Sequence, residues 1–116
     1  MLALHDNRRY FLYCAATDMR KSFDGLSGLV HQQMKQRVVG GDVFIFLNKR
    51  RNQVKLLAWE KDGLAVFHKR LEKGTFELPS SDGESVVHLT SLQLRLILDG
   101  IQLKSIRHRN RYRLTG

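Results

Sequence analysis

The stretch from Gly41 to Leu78 constrains this chain more than any other, because three short apolar runs follow one another with tight polar breaks between them. They lie in the words Val43 to Arg51, Val54 to Glu60 and Leu64 to Phe76. Each run is rich in β-branched, aliphatic and aromatic residues and about six to ten residues long, the habit of antiparallel strands. Asn48 to Gln53 and Lys61-Asp62-Gly63 are the breaks, and an Asp-Gly pair between apolar runs predicts a hairpin. The stretch is therefore a meander. Positive charge sits in and beside its turns: Lys49, Arg50 and Arg51 are consecutive, and Lys69, Arg70 and Lys73 follow the third run.

The flanking segments say what packs on that meander. Tyr10 to Ala16 reads as a strand that is apolar on both faces and hence central. Residues 17–22 turn into a helix, with Asp18 or Ser22 placed to cap its first turn. Apolar residues at Phe23, Leu26, Leu29, Val30, Met34 and Val38 then follow a helical stripe. Gly25 and Gly28 within that stripe each cost about 1 kcal/mol relative to Ala, which implies a close approach of the helix backbone to another element. Gly40-Gly41-Asp42 ends the helix.

In the first meander run Val43, Ile45 and Leu47 face one way and Phe44 and Phe46 the other, so both faces need a cover. The first helix supplies one; the C-terminal helix or a second subunit supplies the other. The third run alternates Ala65, Phe67 and Leu71 against Val66, His68 and Arg70. After Pro79 comes a loop, then a short extended piece at Val86 to Leu89. A brief helix carrying Leu92, Leu94, Leu96, Ile97 and Leu98 follows, capped by Thr90 or Ser91 and ended by Asp99-Gly100. The fold expected is α+β: an antiparallel sheet, made of an N-terminal strand plus a three-stranded meander, packed by an N-terminal amphipathic helix and a short C-terminal helix. One domain spans 1–116, with a basic C-terminal arm from about residue 104.

The 116 residues are 42% hydrophobic, enough for one modest core. Twenty Lys and Arg against eleven Asp and Glu leave a net charge of +9, which favours a polyanionic partner. Lys104 to Arg113 alone holds five cations and no acid. No apolar run is long enough to span a membrane, and residues 1–9 lack the pattern of a signal peptide. The single Cys14 lies in an apolar run, reads as core, and suits a reducing compartment. The expected location is cytoplasmic, with no membrane partner.

Catalytic signatures are missing. There is no Walker-type phosphate loop, no Gly-x-Ser-x-Gly elbow and no His-Glu-x-x-His. His5, His31, His68, His88 and His108 are scattered without metal-ligand spacing. Two-metal chemistry needs converging carboxylates; of the candidates Asp18, Asp24, Asp42, Asp62 and Asp99, the last three sit beside a glycine in a turn or cap role, which leaves too few. No catalytic residue, metal or cofactor is expected, and the chain does not read as an enzyme. Nucleic-acid binding fits better. Lys49, Arg50 and Arg51 at a hairpin tip can reach phosphates without disturbing a sheet, and Trp59, Phe76 and Tyr112 can stack on bases wherever they are exposed. Trp59 reads more readily as core. No helix-turn-helix is present, since the two helices are separated by the whole meander.

Several longer words occur in a fixed order: Thr17-Asp-Met-Arg-Lys-Ser-Phe-Asp-Gly-Leu26, Phe44-Ile-Phe-Leu-Asn-Lys-Arg-Arg51, Lys55-Leu-Leu-Ala-Trp59, Asp62-Gly63 and Lys69-Arg-Leu-Glu-Lys-Gly-Thr-Phe76. In these the chain resembles the TnpB accessory proteins, encoded by the second open reading frame of the insertion-sequence-66 transposon family. These are distinct from the RNA-guided nucleases that share the TnpB name. The resemblance covers about Tyr10 to Pro79, departing at Leu78 and in the loop before Val43. It rests on Thr17, Asp18, Met19, Arg20, Lys21, Asp24, Gly25, Leu26, Trp59, Gly63, Gly74 and Phe76.

What the resemblance implies is a bacterial mobile-element protein that supports a separate catalytic transposase. The expected partners are transposon-end DNA, the transposase, or both, with a homodimer as the further option. Arg20, Lys21, Lys49, Arg50, Arg51, Lys55, Lys69, Arg70, Lys73 and the tail residues Arg107, Arg109, Arg111 and Arg113 are the expected phosphate contacts. The alternative is an adaptor that docks on the transposase through Asp18 to Leu26 without touching DNA. A small nuclease is the third reading.

Overall fold

Along the computed structural model, which describes Leu4 and residues 7–100, the chain forms β1 (Tyr10–Tyr13), α1 (Phe23–Gln32), β2 (Val43–Leu47), β3 (Gln53–Glu60), β4 (Gly63–Arg70), β5 (Val86–Leu89) and α2 (Ser91–Leu98). The strands form one sheet in the order β4-β3-β2-β1-β5. The meander is as expected, with β2-β3 and β3-β4 antiparallel, Val43 opposite Ala58 and Leu57 opposite Val66. The class is α+β.

Two features correct the sequence reading. First, β1 lies parallel to β2, Tyr10 opposite Val43 and Tyr13 opposite Phe46, so the sheet is mixed and not antiparallel. The reason is α1, which carries the chain back to the end where β1 began; a parallel pair requires such a crossover. Consequently α1 is not N-terminal but sits between the first two strands. Second, Val86–Leu89 is a full strand, antiparallel to β1 with Tyr10 opposite Leu89. It leaves β1 in the interior of the sheet, as its two apolar faces require.

Both faces of the sheet are covered from within the chain. On one, Leu26 and Val30 of α1 pack with Phe44, Phe46 and Leu57, joined by Met34 and Val38. On the other, Leu94 and Ile97 of α2 pack with Tyr10, Leu12, Val43, Ile45, Leu47, Val54 and Leu56, and Phe76 closes the edge of this cluster. The second cover is thus α2 together with the segment after β4.

The helical stripe of the sequence overran its helix. Beyond Gln32 the ladder widens, the Met34 N–H bonding the Leu29 carbonyl at 3.0 Å, and Lys35 turns into the left-handed region at φ +57°. Met34 and Val38 still reach the core, but from a turn. Helix α2 starts on a complete capping box, in which the Gln93 N–H donates to Thr90 Oγ1 and the Thr90 N–H to Gln93 Oε1. Cys14 is half-buried at the end of β1, short of the full burial expected, and desolvation pushes its thiol pKa up.

The burial pattern sets the cost of truncation. Phe46→Ala should destabilise the fold by about 3–5 kcal/mol. Leu92→Ala, at a side chain left 60% exposed on α2, should change stability by no more than about 0.5 kcal/mol. Urea unfolding of the two variants beside the wild type checks both.

Candidate nucleic-acid interface

The parallel pair fixes which residues share an end of the sheet. The carboxyl ends of β1 and β2, the start of β3 and the end of β4 all meet there, since Tyr13 pairs with Phe46, Leu47 with Val54 and Gln53 with Arg70. The turn between β2 and β3 is built by Asn48. Its Oδ1 accepts from the N–H groups of Asn52 (3.0 Å) and Gln53 (2.9 Å), and its Nδ2 donates to Asn52 Oδ1 at 2.7 Å. Arg51 completes the turn at φ +59°. The segment after β4 folds back along this turn, the Leu71 N–H bonding the Asn52 carbonyl (2.8 Å) and the Phe76 N–H the Arg51 carbonyl (2.6 Å). Gly74, at φ +82°, permits that return.

Lys49, Arg50, Arg51, Arg70 and Lys73 are therefore gathered at one end, all of them exposed. Among the described residues none of the five makes an ion pair. Glu72 is the carboxylate that accompanies them in the chain. The opposite end differs. There Arg9 holds Asp42 with two bonds of 2.9 Å, and Arg8 donates to the Gly41 carbonyl at 3.0 Å and lies 3.6 Å from Glu60. Cations at the start of β1 are committed to the fold, and those at its far end are not.

Lys55 is the residue that sequence reasoning misplaced. It is only 7% exposed, and its Nζ donates to the carbonyls of Met19 (2.8 Å) and Lys21 (2.7 Å). Lys55 therefore ties the 17–22 loop to the sheet and is not available to a phosphate. The missed signal was register: Lys55 pairs with Phe46, whose side chain faces α1, so the lysine shares that covered face.

The same loop is held at two further points. The Thr17 N–H donates to the Leu47 carbonyl at 2.8 Å, and the Lys21 N–H closes a turn on the Asp18 carbonyl at 3.1 Å. Asp18 does not cap α1, and Ser22, at the cap position, makes no side-chain capping bond. Instead the Asp18 carboxylate accepts from the Arg20 N–H at 2.9 Å and from its guanidinium at 2.7–3.1 Å. Lys21 explains Gly25: a Cβ there would stand 3.1 Å from Lys21 Cβ and Cγ, so the close approach is to the loop and not to another element. Gly28 has open space around it.

The remaining candidates divide plainly. Lys69 is half-buried and its Nζ bonds the Leu98 carbonyl at 3.0 Å, fastening the end of α2. Phe76 is 1% exposed and offers no stacking surface. Trp59 is half-buried, its Nε1 donating to the Lys61 carbonyl at 3.0 Å. Thr17 and Leu26 are buried, Met19 packs beneath α1, and Asp24 is exposed in its first turn. Gly63 is the first residue of β4 with no neighbour that an added Cβ would meet; the turn itself is Lys61-Asp62. Arg107, Arg109, Arg111, Tyr112 and Arg113 lie outside the described residues. Among the described residues no three His, Cys, Asp or Glu side chains are grouped to hold a metal, and no helix is long and apolar enough to cross a membrane.

The family model for the IS66 Orf2-like proteins matches residues 8–108. The chain belongs to that family. It is 31% identical to the uncharacterized protein y4hO of Sinorhizobium fredii over 101 residues, 87% of each chain. To the uncharacterized protein y4jC of the same organism it is 27% identical over 93 residues, 79% of this chain and 78% of the relative. No solved structure matches it. Family membership associates the chain with transposition, in an accessory position.

Two expectations test the loop. Lys55→Met leaves two carbonyls without their donor in a covered place, and should lower stability by about 2 kcal/mol. Faster amide exchange confined to residues 17–22 should accompany the loss, read by hydrogen exchange beside urea unfolding. The second concerns Asp18, whose carboxyl is held down to about 2, chiefly by the Arg20 side chain and then by the Arg20 N–H. A lowered pKa gives stabilisation that is present above the unfolded value of 3.8 and lost as pH falls towards 2. Because both side chains are well exposed the effect on global stability is small. The direct readout is the Asp18 carboxyl titration by NMR, which should move up towards 3.8 in Arg20→Ala.

Proposed function

We propose that this protein is a non-catalytic accessory factor of transposition that binds DNA along the basic end of its sheet. One observation carries the reading: Lys49, Arg50, Arg51, Arg70 and Lys73 are exposed, clustered and, among the described residues, without ion pairs, while Arg8 and Arg9 at the other end are engaged with carboxylates. Cations that the fold does not use are free to displace the counterions of a phosphate backbone. Arg20 and Lys21 stand on the pinned loop at the same end and add charge there, although Arg20 shares its guanidinium with Asp18. The ends of the transposon are the expected target, in the cytoplasm of a bacterium.

A second reading keeps one specific observation. Phe23, the first residue of α1, is 46% exposed beside the hydrogen-bonded 17–22 loop. An adaptor docking on the transposase would use it as an apolar anchor, with the loop as its frame.

Salt separates the two. Fluorescence anisotropy with a transposon-end duplex and a scrambled duplex, over a salt series, should give a log–log slope of about −4 to −5 if five phosphates are neutralised. Arg70→Gln should reduce that slope by about one. Preference for the end sequence would assign end recognition, and equal binding a general clamp. Absence of binding at moderate salt, with the transposase retained in a pull-down that Phe23→Ala abolishes, would replace DNA binding by docking.

A further inference from the structure

A cavity of about 220 Å³ opens at the carboxyl ends of β1 and β2, between Ala15-Ala16 on one side and the Asn48–Arg51 turn on the other. We propose that it is a phosphate-binding site that seats one backbone phosphate of DNA; this rests on the DNA-binding reading above and locates its centre.

Position is the first reason. The chain leaves β1 through α1 over one face to reach β2, and reaches β5 on the other side of β1 from the segment covering the opposite face. The cavity lies outside the carboxyl ends of the parallel pair β1 and β2, the end of the strands at which open α/β sheets bind their ligands. Chemistry is the second. Lys49 and Arg51 both line the cavity, both are exposed, and neither has an ion-pair partner among the described residues. Among the described residues no carboxylate lines it. A guanidinium offers a fork to two oxygens and an ammonium a point charge, a combination suited to a tetrahedral oxyanion.

The backbone supplies the third reason. Ala15 and Ala16 line the same cavity, and their N–H groups make no backbone hydrogen bond among the described residues. The Leu47 carbonyl, the neighbouring acceptor on β2, is taken instead by the Thr17 N–H at 2.8 Å. Successive free amides beside cations are the material of an anion site. Their methyl side chains leave the backbone approachable. Arg50, Arg70 and Lys73 stand outside the cavity and would meet neighbouring phosphates of the same strand.

The test uses the full chain, labelled with nitrogen-15, and two probes. Inorganic phosphate, titrated against chloride at matched ionic strength, should shift the amides of Ala15, Ala16 and residues 49–51 saturably, and a short DNA duplex should shift the same amides. Ala15→Leu fills the cavity at an exposed position without changing charge; it should weaken DNA binding about tenfold, the loss of one charge-assisted contact. Lys49→Gln and Arg51→Asn, the latter keeping a residue that tolerates positive φ, should match it. Arg70→Gln, outside the cavity, should cost only about two- to threefold.

Phosphate shifts no larger than those from chloride would overturn the site. So would full DNA affinity in Ala15→Leu with silent cavity amides, which would leave the DNA-binding reading standing. Saturable phosphate shifts in a protein that binds no DNA would overturn the DNA occupant and that reading together.

Discussion

The parallel pairing of β1 with β2 is the constraint from which the rest of the architecture follows. Two strands consecutive in the chain can lie parallel only if the chain returns to its starting end between them, and α1 is that return. The helix must then lie over one face, which buries Phe44 and Phe46, and the opposite face must find its cover in α2 and the segment after β4. The same pairing places the carboxyl ends of both strands side by side. The loop leaving β1 and the turn leaving β2 therefore meet, although they are more than thirty residues apart in sequence. A wholly antiparallel sheet would have put them at opposite ends.

Where they meet, Lys55 does the joining. A lysine ammonium is costly to cover unless its donors are satisfied, and here two main-chain carbonyls of the 17–22 loop accept from it. The gain is geometric: a loop without secondary structure is fixed at the Thr17 N–H, at the Asp18 turn and at the carbonyls of Met19 and Lys21. Gly25 belongs to the same device, since any side chain there would press on Lys21, whose carbonyl Lys55 already holds. The word from Thr17 to Leu26 by which the chain resembles its family is thus mostly a word about how this loop is held.

That explains what could and could not be read from the sequence. The meander, a cap at Thr90 or Ser91 on α2 and the two-faced character of β2 were legible because strand patterning and cap chemistry are local; the Gln93 half of the capping box came only with the structure. The direction of β1 was not: a strand's apolar pattern is the same read either way, and only the length of the crossover carries the information. The end of α1 was missed for a related reason. Met34 and Val38 keep the spacing of a helical stripe because they reach the same core from a turn, and burial, not hydrogen bonding, is what the stripe reports. Within the candidate interface, Lys49, Arg50 and Arg51 were legible as a hairpin tip, whereas Lys55 and Lys69 look no different in sequence from their exposed neighbours. Each is bonded to a carbonyl of another element, and those contacts exist only after folding.

The charge left over is the part of the molecule that the fold does not explain. Arg8, Arg9, Arg20, Lys55 and Lys69 all have structural partners: a carboxylate, a carbonyl, or both. Lys49, Arg50, Arg51, Arg70 and Lys73 have none among the described residues, yet the backbone hydrogen bonds of Arg51, Asn52, Leu71 and Phe76 bring them together. Like charges held near one another repel, and the repulsion is relieved only by screening or by an opposite charge. The turn itself does not ask for this composition, since its geometry is set by Asn48 and Asn52 and would form around neutral side chains as well. Such a cluster opposes folding and is not required by it; DNA, the partner we propose, would bring it negative charge in a matching row. A phosphate backbone is such a row, and the cavity between Ala15 and Arg51 is where it would come closest to the main chain.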